Sequence, residues 1–369
     1  LKPFWLKDHD DFCTRTAMRS RSRVRSGRRR AALVHSIVLV YFVFKDEDGA
    51  RAFSLLPWQE NFRVPSALDL QRALDMARMS LWCYTNSFRA DMWDTIREEV
   101  KSGGGENLSR VAELAKALVE VGYTEENATE VMQLANSYED GELVDWLDRF
   151  QSLGIQGGAF VTPSRNTIAV VFRGSDADVD WKQSYRFWPT DYSTPGVPDA
   201  KVHTGFYEQY VDGGDDGGPG LVKEVVALAA ENPGFQIFIG GHSLGAAVAT
   251  IFAAELFQPG YALPGGTEVQ LITLGSPRVF NYNLARWLES RPGFAGIRVK
   301  NEADFFTRLP FFLGFHHVGR LLWLKDGAAR LYEEGRAPLE STWPDLCKFW
   351  DTGSDHELES YLLRLKGLQ

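Results

Sequence analysis

Cysteine is scarce in this chain of 369 residues, which has only Cys13, Cys83 and Cys347. Three cysteines cannot build a dense disulfide framework, and the absence of a C-x-x-C pair argues against a zinc ribbon. Cys83 falls within an apolar helical pattern, so we expect it to be a buried free thiol. An excess of positive charge is also missing, since the net charge is -9, which argues against a nucleic-acid partner.

Basic residues are concentrated at the start of the chain. Residues 1–30 hold ten Lys or Arg against three Asp, and eight of the arginines form an arginine block over residues 15–30. The apolar run that follows, residues 31–44, is shorter than the roughly 20 residues of a spanning helix. A basic region, an apolar region and Ala50-Arg51-Ala52 together resemble a secretory signal, although the charged residues 45–48 are unusual before a cleavage site.

Three interpretations of this N-terminal region stay open: a signal or anchor, a first strand, or non-native sequence. The signal-like pattern favours a secreted or surface-associated protein over an intracellular one. The length of the chain and its 44% hydrophobic content suffice for a large core, in one domain or two.

Gly241-His242-Ser243-Leu244-Gly245 is the most informative stretch. It has the form G-x-S-x-G, which a chain with 34 glycines can contain by chance. Here, however, a strand is predicted over 235–240 and an apolar helix over 246–257, and a strand-turn-helix context is what a nucleophile elbow requires. The glycines leave room for a strained backbone at the serine. We therefore expect Ser243 to be a nucleophile.

Strands and helices alternate beyond residue 155, which predicts an α/β fold with a mostly parallel sheet flanked by helices. The predicted strands are 158–162, 167–172, 235–240, 268–274 and 295–300. The predicted helices are 66–84, 204–212, 219–231, 244–257, 282–289 and 356–366. Residues 106–150 are expected to form three short helices, and Leu143, Trp146, Leu147 and Phe150 share one predicted helix face.

An activated serine needs a base and a carboxylate that orients the base, and in an α/β-hydrolase they follow in the order Ser, acid, His. Asp304 closely follows the strand Ile297-Arg298-Val299-Lys300, which favours it over Asp326, Asp345, Asp351 and Asp355. The histidines beyond it are His316, His317 and His356, and chain order does not separate them. His203 and His242 are expected to be structural hydrogen-bonding residues.

The developing oxyanion needs hydrogen-bond donors. The backbone N–H of Leu244, directly after the nucleophile, is one candidate. Ser175, beyond the predicted strand that ends near Phe172, is the second. Ser175 as a helix cap is the alternative.

Seven segments, in order, resemble the class 3 lipases, a family of fungal triacylglycerol lipases with plant and bacterial relatives. They are 158–161, 170–175, 202–206, 241–245, 274–279, 304–310 and 355–361. The resemblance is weak over 63–85 and good over 155–366. It implies an α/β-hydrolase-like fold with Ser243, Asp304 and His356 as the catalytic residues and Ser175 and Leu244 at the oxyanion. His317-Val318-Gly319 resembles a family segment whose histidine is not the base.

The resemblance divides the chain into an N-terminal segment, 1–62, and a lipase-like domain, 63–369. The domain carries a helical insertion, 86–150, that exceeds what the family usually has at this point. Ala246 stands where many members have glycine. The segment after Ser175 carries the lid in the family, so lid or substrate contacts are expected from Trp181, Tyr185, Phe187 and Trp188. A permanently packed loop is the alternative.

These residues predict a serine carboxylic ester hydrolase, most simply a triacylglycerol lipase that works through an acyl-enzyme without cofactor or metal. Its partner would be an acylglycerol or another ester lipid, with a lipid–water interface as the place of action, and no protein partner is predicted. Phospholipase A1, short-chain esterase and feruloyl esterase activities are alternatives on the same site. Alternatives of other classes are an inactive lipid-binding protein and a module that docks on anionic lipid through the arginine block.

Overall fold

The computed structural model describes residues 62–83, 142–148, 156–174, 186–211, 218–310, 314–333 and 353–369. The N-terminal segment up to residue 61, most of the 86–150 insertion, and the predicted site residues Ser175, Trp181 and Tyr185 lie outside these ranges. None of the described helices has both the length and the apolarity to cross a bilayer.

The described elements confirm the predicted α/β class. The helices are α1 (Ala67–Cys83), α2 (Thr204–Val211), α3 (Gly218–Glu231), α4 (Leu244–Glu255), α5 (Tyr282–Glu289), α6 (Gly353–His356) and α7 (Leu358–Lys366). The strands are β1 (Glu142–Asp148), β2 (Gln156–Thr162), β3 (Thr167–Phe172), β4 (Pro189–Asp191), β5 (Lys201–His203), β6 (Gln236–His242), β7 (Val269–Leu274), β8 (Phe280–Asn281), β9 (Phe294–Asn301), β10 (Phe315–His316), β11 (Arg320–Lys325) and β12 (Ala328–Tyr332).

Eight strands form the main sheet, in the order β1-β2-β3-β6-β7-β9-β11-β12. The pairs from β3 through β6, β7 and β9 to β11 are parallel, whereas β1, β2 and β12 add antiparallel edges. A smaller antiparallel sheet has the order β10-β8-β5-β4. The carboxyl ends of the parallel strands lie at one edge of the sheet, which is where such folds place their ligands.

Both faces of the main sheet are covered. All six residues of β3 are buried, and alternate side chains enter two different hydrophobic clusters. This continuous apolar run is what a strand covered on both faces requires. Residues from α1 and α7 belong to one cluster, and residues from α2, α3, α4 and α5 belong to the other. Helix α4 is buried from Leu244 through Ala254, which explains why its sequence is apolar on every side.

The last of the three helices predicted over 106–150 is wrong where the structure describes it, because Glu142–Asp148 form strand β1. This strand pairs antiparallel with β2, with a register shift between Leu143 and Asp145. Apolar residues at helical spacing within so short a segment do not distinguish a helix from a strand. Pairing decides the outcome, because β1 satisfies backbone groups of β2 that a helix would leave open.

Cys83, at the end of α1, is a buried free thiol, as predicted. Its Sγ lies 3.9 Å from the carbonyl oxygen of Val171 in β3. Burial raises the thiol pKa to about 12, so the group stays protonated and unreactive in the folded protein.

Candidate active site

Ser243 lies in the turn between β6 and α4 and has backbone angles φ 57° and ψ -121°. A non-glycine residue with such angles is strained by about 1–3 kcal/mol and persists only when its surroundings enforce it. The neighbouring glycines supply the enforcement. A Cβ on Gly241 would lie 2.4 Å from the carbonyl oxygen of Phe172, and a Cβ on Gly245 would lie 2.2 Å from the same atom. The predicted strand-turn-helix elbow is therefore present, and it presents a partly exposed serine.

A continuous hydrogen-bonded line joins Ser243, His356 and Asp304. Ser243 Oγ lies 2.8 Å from His356 Nε2, and His356 Nδ1 lies 2.9 Å from Asp304 Oδ2. Asp304 is completely buried, three residues beyond the end of β9. The three residues are far apart in sequence, and the structure brings them to the carboxyl edge of the sheet.

His356 is the last residue of the one-turn helix α6, and the extended residue Glu357 separates it from α7. Most of the helix predicted over 356–366 is observed as α7, whereas His356 ends the separate helix α6, and its imidazole faces Ser243. Two hydrogen bonds join Asp355, next to His356, to the end of β9 and the residues that follow it. Asn301 Nδ2 donates to the carbonyl oxygen of Asp355, and the Ala303 N–H donates to the Asp355 carboxylate.

The rival residues lie elsewhere. His317 Nε2 is 2.7 Å from the carbonyl oxygen of Thr307, and His316 is an exposed strand residue with its ring against Tyr282. Asp355 contacts the Ala303 N–H, and Asp326 lies in the turn before β12. Asp345 and Asp351 are outside the described residues.

His242, next to Ser243, is bound to the backbone of His356. Its Nε2 lies 2.7 Å from the carbonyl oxygen of His356, and the two rings are 4.9 Å apart. Burial, together with the nearby His356, keeps the pKa of His242 well below its usual range. His242 is therefore neutral, and its ring N–H donates to that carbonyl. This agrees with the structural role expected for it.

Two residues that contact Asp304 and His356, Tyr361 and Phe306, were missed by sequence reasoning. The Tyr361 hydroxyl donates to Asp304 Oδ2 at 2.5 Å, and the Phe306 N–H donates to Asp304 Oδ1 at 2.9 Å. The Phe306 ring stacks on His356 with centroids 4.1 Å apart. Their only sequence signal was their place in the 304–310 and 355–361 segments.

The oxyanion candidates are only partly described. Leu244 is the first residue of α4, where backbone N–H groups have no partner within the helix and the helix dipole is positive. Ser175 lies outside the described residues. The residue just before it that can be placed, Gly174, follows Arg173 at the end of β3, and a Cβ on Gly245 would lie 2.6 Å from the Arg173 carbonyl oxygen. The strand end that leads to Ser175 is thus packed against the start of α4.

Of the lid candidates, Phe187 and Trp188 are described. Phe187 is half-buried and meets the His203 ring edge-on at 5.9 Å, whereas Trp188 is 70% exposed. Within the described ranges, no three or more His, Cys, Asp or Glu side chains gather closely enough to ligate a metal ion.

Part of this chain resembles known proteins. The family model for Lipase (class 3) matches residues 169–314. The lipase of Rhizomucor miehei is 32% identical over 180 residues, which cover 48% of this chain and 47% of that protein. The secreted mono- and diacylglycerol lipase 1 of Fusarium solani is 34% identical over 173 residues, which cover 46% of this chain and 48% of that protein. The chain therefore spans about half the length of these curated relatives.

A solved structure agrees in fold. The lipase from Rhizopus microsporus var. chinensis matches with a TM-score of 0.54 and 21% identity, over 75% of this chain and 82% of that one. The residues matched by the family model include the elbow with Ser243 and the segment with Asp304. Residues 169–314 of this chain are thus similar to the class 3 lipases, and the described part of the chain has the α/β fold of the solved lipase.

Proposed function

We propose that this protein hydrolyses carboxylic esters of lipids, with Ser243 as nucleophile, His356 as general base and then general acid, and Asp304 as the carboxylate that orients His356. The observation that supports this most strongly is the line of hydrogen bonds from Ser243 Oγ through both nitrogens of His356 to Asp304. Nucleophile, base and orienting acid within hydrogen-bond reach are what covalent acyl transfer needs.

The geometry supports two successive half-reactions. Ser243 Oγ attacks the ester carbonyl carbon while its proton passes to His356 Nε2. The resulting oxyanion accepts hydrogen bonds from the Leu244 N–H and from Ser175. As the ester C–O bond breaks, His356 returns the proton to the leaving alcohol and an acyl-enzyme remains. A water molecule, deprotonated by His356, then attacks the acyl group and releases the carboxylic acid and free Ser243.

Acylglycerols are the proposed substrates. Two relatives are named as a lipase and as a mono- and diacylglycerol lipase. The exposed Trp188 and half-buried Phe187, at the end of the predicted lid segment, are suited to contact with a lipid–water interface. We propose that they belong to that lid, together with Trp181 and Tyr185.

Hydrolysis by purified protein tests the proposal. The substrates are p-nitrophenyl esters from short to long acyl chains, emulsified mono-, di- and triacylglycerols, and a phospholipid, with Ser243→Ala as the control. Removal of a nucleophile lowers kcat by about 10⁶-fold, so we expect activity on long-chain esters that disappears in the variant.

The outcomes separate the alternatives. Activity confined to short soluble esters would indicate an esterase, and activity confined to phospholipid would indicate a phospholipase. A wild-type protein that cleaves no ester and does not react with a serine-directed phosphonate would contradict the proposal and favour a lipid-binding protein.

A further inference from the structure

The segment from Asp304 to Pro310 touches the catalytic histidine twice. Asp304 accepts the hydrogen bond from His356 Nδ1, and the Phe306 ring stacks on the imidazole. Phe306 begins a short 3-10 helix, Phe306–Arg308, and the Thr307 hydroxyl in this helix donates to the Asp304 carbonyl oxygen at 2.8 Å. The position of this segment therefore sets the position of the base.

Four consecutive carbonyl oxygens of this segment are bound by only two residues, Arg278 and His317. The Arg278 backbone N–H donates to Leu309 at 2.7 Å, and Arg278 Nη1 donates to Arg308 and, at 3.1 Å, to Pro310. His317 Nε2 lies 2.7 Å from the Thr307 oxygen. Because both residues lie outside the segment, their hydrogen bonds hold it along its length from Thr307 to Pro310.

His317 is kept in the form that suits this bond. Burial, followed by the charges of Arg298, Arg278 and Lys300, holds the pKa of His317 well below its usual range. A neutral imidazole has one ring proton, and a nitrogen that faces a carbonyl oxygen at hydrogen-bond distance carries it. His317 is therefore a neutral donor to Thr307.

We propose that Arg278 and His317 are positioning residues for ester hydrolysis, which hold residues 307–310 so that Asp304 and Phe306 keep His356 aligned with Ser243. Both side chains act through the backbone of residues 307–310 and not through a contact with substrate. This inference rests on the proposed function. The expected loss of rate follows from geometry, since a displacement of about 1 Å in a catalytic group lowers the rate by about 10²-fold.

The surroundings of the pair allow a chemical rescue. A cavity of about 200 Å³ is lined by Arg278, His316 and His317 together with Tyr282 of α5. Because this space lies beside the arginine, a free guanidinium ion can enter the position that an Arg278→Ala variant leaves empty. A side chain that only added general stability would gain no turnover from such an ion.

The experiment measures kcat and KM per active site, with the sites counted by a serine-directed phosphonate. We expect Arg278→Ala and His317→Leu to lower kcat by about 10- to 100-fold, with a much smaller change in KM. Guanidinium chloride at low, non-denaturing concentration should restore part of the kcat of Arg278→Ala. His317→Gln keeps an N–H donor and should stay closer to wild type than His317→Leu.

Arg291→Ala is the matched control. Arg291 Nε also donates to a backbone carbonyl, that of Trp287 at 3.1 Å, but at the end of α5 and without a bond to residues 304–310. Its kcat should not change. The proposal is overturned if Arg278→Ala and His317→Leu retain wild-type kcat per titrated site, because any loss of activity would then reflect only unfolded protein.

A second readout does not need turnover. The proton between His356 Nδ1 and Asp304 should give a strongly downfield NMR signal, which should shift or broaden in Arg278→Ala and His317→Leu but not in Arg291→Ala. That result in a protein without esterase activity would contradict the proposed function and retain the positioning role. An unchanged signal in all three variants would overturn the positioning role itself.

Discussion

At the scale of single residues, the hydrogen bond from the Tyr361 hydroxyl to Asp304 can be removed by a single substitution. Burial, and then the charge and hydrogen bond of Asp304, raise the pKa of Tyr361 well above its usual range. The phenol therefore keeps its proton and donates a hydrogen bond to the Asp304 carboxylate. A hydrogen bond to a charged group contributes about 1.5–3 kcal/mol.

Tyr361→Phe should lower kcat by about 10-fold or more, since 1.4 kcal/mol corresponds to a factor of ten. Titrated kcat on a soluble ester checks this. Tyr210→Phe is the matched control, because Tyr210 is equally buried and its hydroxyl has no hydrogen-bond partner among the described residues. Equal effects in both variants would show that the Tyr361 hydroxyl has no special role.

Site residues that belong to a local pattern could be predicted from the sequence, whereas those that act through contacts distant in sequence could not. Ser243 could be found because the elbow is a local strand-turn-helix pattern. The choice of base among three histidines stayed open until the family resemblance was used, because the contact with Ser243 spans 113 residues. Tyr361 and Arg278 act across 57 and about 30 residues, and no local pattern records such contacts.

At the scale of elements, the elbow depends on close contact between α4 and the end of β3. Gly245→Ala would place a methyl group 2.2 Å from the Phe172 carbonyl oxygen and 2.6 Å from the Arg173 carbonyl carbon, so the start of α4 must move. The N–H of Leu244 and the serine would move with it.

We expect Gly245→Ala to lose most ester hydrolysis and about 1–3 kcal/mol of stability, as overpacked sites do. Urea denaturation and titrated kcat measure the two effects. Gly260→Ala is the control, because its added methyl group would meet nothing within 4 Å. Wild-type kcat in Gly245→Ala would show that the elbow tolerates displacement of the helix.

Some helices and strands could be predicted from their own sequence and others could not. Buried parallel strands such as β3 and the all-apolar α4 were predicted within a few residues, because their patterns reflect burial on both faces. Strand β1 was predicted as a helix, because its assignment depends on pairing with β2 rather than on its own pattern.

At the scale of the whole molecule, the buried His203 and His242 and the half-buried His317 make stability sensitive to acid. Burial lowers the pKa of His203 to about 4 and holds those of His242 and His317 well below their usual range. In the unfolded chain each titrates near its ordinary value of about 6.5. The unfolded state therefore binds more protons at low pH, and stability falls as the pH drops from about 6.5 toward 4.

His203→Phe should reduce this sensitivity. His203 alone accounts for about 2 kcal/mol between pH 6.5 and pH 5, at 1.36 kcal/mol for each pH unit. A phenyl ring suits its neighbours, since His203 stacks on Phe206 at 3.9 Å and its Nε2 has no partner among the described residues. Urea midpoints at pH 7 and pH 5 test this, and an equal fall in variant and wild type would contradict it.

Because Ser243 and His356 are far apart in the sequence, they are synthesised at different times. During synthesis the elbow and Asp304 leave the ribosome well before residues 353–366, and α7 then has to dock beside α1 in a common hydrophobic cluster. Until that docking occurs, the serine has no base. If the proposed function holds, the protein gains ester hydrolysis only after this last helix has docked.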